Sequence, residues 1–223
     1  IVGATPAAFC VHNESRSHYE AIAASYVASA PDVLIGQGYS YFQHQDLSNF
    51  LTVEFSMKID RILNKDPQCT QPLIGFFFED ITAAPSDTLA HCTEVALNRL
   101  KGNEKGFFLM VENAATDKAG HANDMQGKLN AIATMERAIA VVLKFMKNNP
   151  DTLLIITSDH ETGGVQLPSE GEQPHNGLFT TTGHTATDVR TFAVGYGSEY
   201  FSGEIIDNTD IAEFAINAVK GNR

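Results

Sequence analysis

Apolar positions along the chain fall into two alternating rhythms. The runs at Asp32-Val33-Leu34-Ile35, Leu73-Ile74-Gly75-Phe76-Phe77-Phe78, Gly106-Phe107-Phe108-Leu109-Met110-Val111, Thr152-Leu153-Leu154-Ile155-Ile156-Thr157 and Thr191-Phe192-Ala193-Val194 have the length of buried strands. The run from Gly106 to Val111 is continuously apolar, as a strand covered on both faces would be. Between these runs the period lengthens to three and four. Ser86, after Pro85, reads as the cap of a helix that places Leu89, Cys92, Ala96 and Leu100 on one face. Leu129, Ile132, Met135, Ile139, Val142 and Met146 predict the apolar face of the longest helix, from Met125 to Lys147, stopped by Asn149-Pro150. A closing helix is expected from Asp210 to Val219, capped by Asn208 or Thr209. The stretch from Pro168 to Gly183 is polar and rich in Gly, Pro and Thr, and reads as a loop. Strands alternating with helices predict an α/β fold: a three-layer α/β/α sandwich around a mostly parallel central sheet, with residues 1–223 in a single domain.

Composition narrows the function classes. Hydrophobic residues make up 43% of the chain and charged residues 19%, the balance of a folded domain. No apolar run approaches the roughly 20 residues of a membrane span. The formal net charge of −12 argues against a nucleic-acid partner, since phosphate backbones recruit basic faces. A phosphate-bearing substrate would need local cations, and metal ions supply them. The three cysteines, Cys10, Cys69 and Cys92, form no C-x-x-C pair, which disfavours a thiolate zinc site; their disulfide pairing stays open. The sequence opens on Ile1 without methionine, the mark of a processed, trimmed or partial product, and no leader precedes it.

The chemistry collects where ligands bind in open α/β sheets, outside the carboxyl ends of strands. The run to Val111 leads into Glu112 and then Asp117-Lys118-Ala119-Gly120-His121; the run to Thr157 leads into Ser158-Asp159-His160-Glu161; Gly183-His184-Thr185 precedes the last strand. Carboxylate and imidazole without sulfur are the donors of catalytic zinc and similar divalent ions. Asp117 and His121 are spaced so that one turn of chain brings both to one ion, and His184 would complete a three-ligand set that leaves a position open. Each pattern alone is more often a capped helix start, a turn acid or a solvated histidine; their gathering at one edge is what points to metal. His12, His18, His44, His91 and His175 lack this setting and are read as structural or solvated.

At these residues the sequence resembles the alkaline phosphatases. Gly102 to Glu112 is similar to that family's strand leading to a magnesium-ligand glutamate, Asp117-Lys118-x-x-His121 to its D-x-x-x-H zinc motif, Thr157-Ser158-Asp159-His160 to its T-[AS]-D-H motif, and Gly183-His184-Thr185 to its late zinc histidine. Upstream, Ala4-Thr5-Pro6-Ala7-Ala8 resembles the A-T-P-A-A segment whose threonine binds magnesium, and Glu14-Ser15-Arg16 the segment with the phosphate-binding arginine. The resemblance covers nearly the whole chain. It departs at Gly3, where the enterobacterial form has aspartate, and at Asn113, which replaces a usual glycine.

The resemblance implies a phosphomonoesterase with two zinc ions and one magnesium ion, working through a phosphoserine. Asp117, His121 and His184 would hold the first zinc, Asp159 and His160 the second, and Thr5 and Glu112 the magnesium. Arg16 and Lys118 would bind phosphate; without the resemblance, Arg16 reads as a surface partner of Glu14 or Glu20 and Lys118 as solvated. Phosphate monoesters and inorganic phosphate are the implied ligands, with a periplasmic or secreted homodimer as the implied setting. The family's D-S-A nucleophile and a further zinc aspartate precede the A-T-P-A-A segment, so neither falls in this sequence, and Ser15, Ser86 and Ser158 match no nucleophile position. The chain by itself is therefore expected to be inactive or nearly so. The rival readings are a related metal-dependent phosphodiesterase or phosphoglycerate mutase, and a non-catalytic fragment that binds zinc and phosphate.

Overall fold

The computed structural model describes residues 1–55, 71–77, 86–203 and 205–220. They form an α/β fold whose contacts divide it into two units: Ile1–Glu79 with Val95–Glu112, and Asp80–Glu94 with Asn113–Arg223. Among the described residues no helix is long and apolar enough to cross a membrane.

The first unit is built on helices α1 (Ala4–Cys10) and α2 (Tyr19–Ser29) and strands β1 (Val33–Gly36), β2 (Leu51–Phe55) and β3 (Leu73–Phe77). The strands form a parallel sheet in the order β1-β3-β2, with Val33 and Leu51 both in register with Leu73. The central strand, β3, is buried on both faces, and its continuous apolar run reflects that. Ile22, Tyr26, Leu34, Phe42, Ile74 and Phe76 pack into one core, with the Phe42 and Phe76 rings 5.2 Å apart. Helix α2 begins after a turn and ends at Ala30 in the left-handed conformation (φ 46°), whose amide donates to the Tyr26 carbonyl.

The second unit carries most of helix α3 (Thr88–Leu100), then α4 (Ala115–His121), α5 (Met125–Met146), strands β4 (Leu153–Ile156), β5 (Glu161–Thr162), β6 (His184–Thr185) and β7 (Phe192–Gly195), and helix α6 (Asn208–Lys220). β4 pairs antiparallel with β7, and β5 with β6. Ser86 stands one residue outside the expected cap position of α3: its hydroxyl accepts the Thr88 amide at 3.1 Å, while the Asp87 carbonyl accepts the His91 amide at 2.9 Å.

Three further expectations change. The run from Gly106 to Val111 is extended chain without strand assignment, and it is only half-covered: Phe108 is exposed and stacks on Phe9 at 5.6 Å. On α5 the buried stripe is Gly127, Ala131, Thr134 and Ala138, while Leu129 and Ile132 are exposed. Small residues win that face because α4 approaches there, with Ala119 Cβ against Gly127. Finally, α6 is capped by Asp207, which accepts both the amide (2.9 Å) and the hydroxyl (2.7 Å) of Thr209. Cys10 is a free thiol and Cys92 is buried on α3; Cys69, Phe78 and Pro85 lie outside the described residues.

Candidate metal centre

Helix α4 presents Asp117 and His121 one turn apart, and their carboxylate and ring nitrogen come within 3.5 Å. Its start is fixed by Asn113, whose side-chain oxygen accepts the Ala115 amide (3.1 Å) while its amide group donates to the Ala131 carbonyl on α5 (2.8 Å). Its inner side is fixed by Gly120. A Cβ there would lie 2.7 Å from the Thr162 carbonyl oxygen and 2.9 Å from the Thr162 Cβ. Only hydrogen fits, so α4 lies directly against β5.

Beyond β4 the chain turns sharply through Ser158-Asp159-His160 before entering β5. The Ser158 hydroxyl donates to the His160 carbonyl (2.8 Å), and Asp159 Oδ1 accepts the His160 amide (3.1 Å). The turn folds the two neighbours onto one another, leaving Asp159 Oδ2 3.2 Å from His160 Nε2. The β5–β6 ladder then sets Thr162 opposite His184 and Glu161 opposite Thr185. Glu161 holds the pair together: its carboxylate accepts the amides of Gly164 (3.0 Å) and Val165 (3.2 Å) and the Thr185 hydroxyl (2.5 Å).

These elements bring five sequence-predicted residues into one cluster. His184 Nε2 lies 3.4 Å from Asp117 Oδ1 and 3.2 Å from His121 Nε2, and the His160 ring stacks on His184 with centroids 3.6 Å apart. Donor atoms of Asp117, His160 and His184 all lie within 4.8 Å of one another. Proton bookkeeping sharpens the picture. The His121 Nδ1 contacts the Thr182 carbonyl at 2.5 Å, and a carbonyl can only accept, so Nδ1 carries the proton. In the neutral ring Nε2 is then a lone pair, facing Asp117 and His184. A carboxylate oxygen and imidazole nitrogens converging on one point are the donors that a shared cation uses. Burial pushes the Asp117 carboxyl up, but the Thr162 hydrogen bond and the His121, His160 and His184 imidazoles outweigh it and hold the group below the usual carboxylate range.

Lys118 is exposed on α4. Thr5 on α1, Arg16 in the turn before α2, and Glu112 belong to the first unit. Among the described residues Arg16 makes no ion pair with Glu14 or Glu20. Glu112 neighbours Tyr26, whose hydroxyl is pushed above its ordinary range by burial and then by Cys10 and Glu112. His18 bonds to Asn13 (3.0 Å) and His175 to Glu172 (2.6 Å), in keeping with their reading as structural or solvated.

Sequence reasoning missed three supporting residues. Thr162 is buried, and its hydroxyl donates to Asp117 Oδ1 at 2.5 Å. Lys128 on α5 donates to the Thr162 carbonyl (2.7 Å) from above the Phe179 ring. Glu161 clamps the ladder. The signal that could have found Thr162 is positional: it lies two residues past His160, on the same face of an extended segment.

Comparison with known proteins points to one family. The model of the alkaline phosphatase family matches residues 47–176, more than half of the chain. Alkaline phosphatase 4 of Bacillus subtilis is 37% identical over 188 residues, 76% of this chain and 40% of that protein. Alkaline phosphatase 3 of the same organism is 27% identical and covers 100% of this chain, which spans 66% of it. The chain thus spans less than two thirds of both relatives. Among solved structures, a mutant TAB5 alkaline phosphatase with Mg bound in its M3 site superposes with a TM-score of 0.84 at 29% identity, over 99% of this chain and 69% of that one. A cold-active alkaline phosphatase from Shewanella gives 0.85 at 27% identity, over 98% and 73%.

Proposed function

Since the chain belongs to the alkaline phosphatase family, we propose that its side-chain cluster is the metal centre of a phosphate-monoester hydrolase. The observation that carries this is the meeting of Asp117, His160 and His184 donor atoms within 4.8 Å, from three separate stretches of sequence. The donor set fits zinc: carboxylate and imidazole, with no sulfur. Asp117, His121 and His184 would hold a first zinc, Asp159 and His160 a second, and Thr5 and Glu112 a magnesium. Bound at such a site, two divalent ions neutralise phosphoryl oxygens and activate the attacking and leaving oxygens of a monoester.

The other roles belong to the chain's own residues. Arg16 would donate its planar fork to two phosphoryl oxygens, a task lysine cannot match in geometry. Lys118, exposed and next to Asp117 in sequence, would add a mobile cation. Asp159, folded back on His160, keeps both donors at one point. Ser15, Ser86 and Ser158 match no nucleophile position: the Ser86 hydroxyl accepts the Thr88 amide and the Ser158 hydroxyl is engaged with the His160 carbonyl. The chain alone is therefore expected to bind zinc and inorganic phosphate without turnover. The reading extends, by family, to an exported homodimer, which sedimentation and cell fractionation would check.

The test is zinc titration of chelator-treated protein, followed by assays on p-nitrophenyl phosphate and bis-p-nitrophenyl phosphate, with the chain alone and with the relatives' preceding segment supplied. Zinc uptake, with monoester cleavage appearing only when that segment is added, supports the reading. Uptake without turnover in either case favours a binding fragment. Preference for the diester favours a phosphodiesterase, and absence of zinc uptake overturns the metal centre.

A further inference from the structure

Thr162 touches two metal-site residues at once. It is 3% exposed, its hydroxyl lies 2.5 Å from Asp117 Oδ1, and the same oxygen lies 3.2 Å from His160 Nδ1. One hydroxyl has one proton. Asp117, as a carboxylate, can only accept, so that proton goes to Asp117 and the Thr162 oxygen must accept from His160. The bonds therefore run in a single direction: His160 Nδ1–H to Thr162 Oγ1, and Thr162 Oγ1–H to Asp117 Oδ1. His160 is left with Nε2 as its lone-pair nitrogen, the atom that faces Asp159.

The backbone keeps Thr162 in place from three sides. Its carbonyl accepts from Lys128, its strand pairs with His184, and Gly120 closes against it where no larger residue fits. Period-two alternation turns Glu161 the other way, toward Thr185.

We propose that Thr162 is a positioning residue that selects the metal-facing nitrogen of His160 and aims Asp117, thereby coupling the two ion positions. This rests on the metal centre proposed above. Asp117 belongs to one position and His160 to the other, so an ion that fixes either one orders the hydroxyl for its neighbour. Outer-sphere partners of this kind orient ligands, and their loss typically lowers metal affinity about 10–100-fold.

The experiment is a cobalt(II) titration of the chelator-treated chain, followed by visible absorption, for the wild type, Thr162→Val and Thr162→Ser. Valine keeps the shape and removes the hydroxyl; serine restores it. The expected result is uptake by the wild type, about 10–100-fold weaker uptake by Thr162→Val with a changed absorption envelope, and recovery in Thr162→Ser. Equal binding by Thr162→Val, or equal weakness in Thr162→Ser, overturns the proposal while the metal centre stands. No cobalt uptake by the wild type overturns both. Should Thr162→Val fail to fold, nitrogen-15 spectra of the metal-free wild type decide: His160 protonated on Nδ1 supports the proposal, and the Nε2–H tautomer overturns it.

Discussion

The two units bury different things. In the first, β3 places Leu73, Ile74 and Phe76 in the interior, and aromatic rings from Phe42 and Tyr26 fill the space around them. In the second, the fully enclosed positions on α5 are Ala131 and Thr134, while Leu129, Ile132, Phe192, Val194 and Ile216 stay exposed. The first unit is held by apolar area removed from water. The second is held at its centre by directed contacts: Asn113 to Ala131, Lys128 to Thr162, Glu161 to Thr185. A metal centre needs that second kind of support, because hydrogen bonds fix the direction of a ligand atom and apolar packing does not.

Mutations can break the comparison, beginning with the largest effect. Phe76→Ala in the first unit should cost about 3–5 kcal/mol by denaturant unfolding, because Phe76 is 2% exposed between Phe42 and Tyr39 and the surrounding strands cannot close the gap. Gly120→Ala should cost about 1–3 kcal/mol, since the methyl group meets backbone at Thr162, and the same substitution should abolish zinc retention measured by elemental analysis. Phe192→Ala on β7 should shift stability by no more than about 0.5 kcal/mol, because the ring is already 58% exposed. A loss there comparable to that at Phe76 would end the contrast. The smallest effect is expected at Asp207, where α6 buries no residue and depends on its cap. Hydrogen bonds from the Thr209 side chain and backbone hold the Asp207 carboxyl below the usual carboxylate range. A depressed carboxyl stabilises above its unfolded pKa, and that contribution is lost as pH falls through the folded value. The denaturation gap between wild type and Asp207→Ala should therefore be widest near neutrality and narrow in acid below the ordinary aspartate range.

Much of this was legible in the sequence, for identifiable reasons. The strands observed at 33–36, 73–77, 153–156 and 192–195 were legible because each holds an unbroken apolar run, although only 73–77 is buried along nearly its whole length. The zinc-type donors were legible because carboxylate and imidazole at strand ends have few other uses in such numbers. Helix α2 was missed because Tyr19–Ser29 is apolar on most sides, so no stripe stands out. The buried face of α5 was misread because periodicity reports large residues, while close helix approach selects small ones. Thr162 was illegible because a threonine before two glycines looks like a turn, and only the fold shows which carboxylate its hydroxyl meets.

The β5–β6 ladder is two residues long on each side, yet it carries His184 and Thr162. So short a ladder can come apart by a local fluctuation while the rest of the domain stays folded. In hydrogen-exchange terms, the amides of Gly163 and Thr180, bonded to the Gly183 and Gly163 carbonyls, should exchange far faster than those of β3 in metal-free protein and slow sharply once zinc is added. An ion bridging His184 to α4 would act as a staple across that ladder. Its escape would then be timed by the breathing of four residues, with no need for the molecule to unfold.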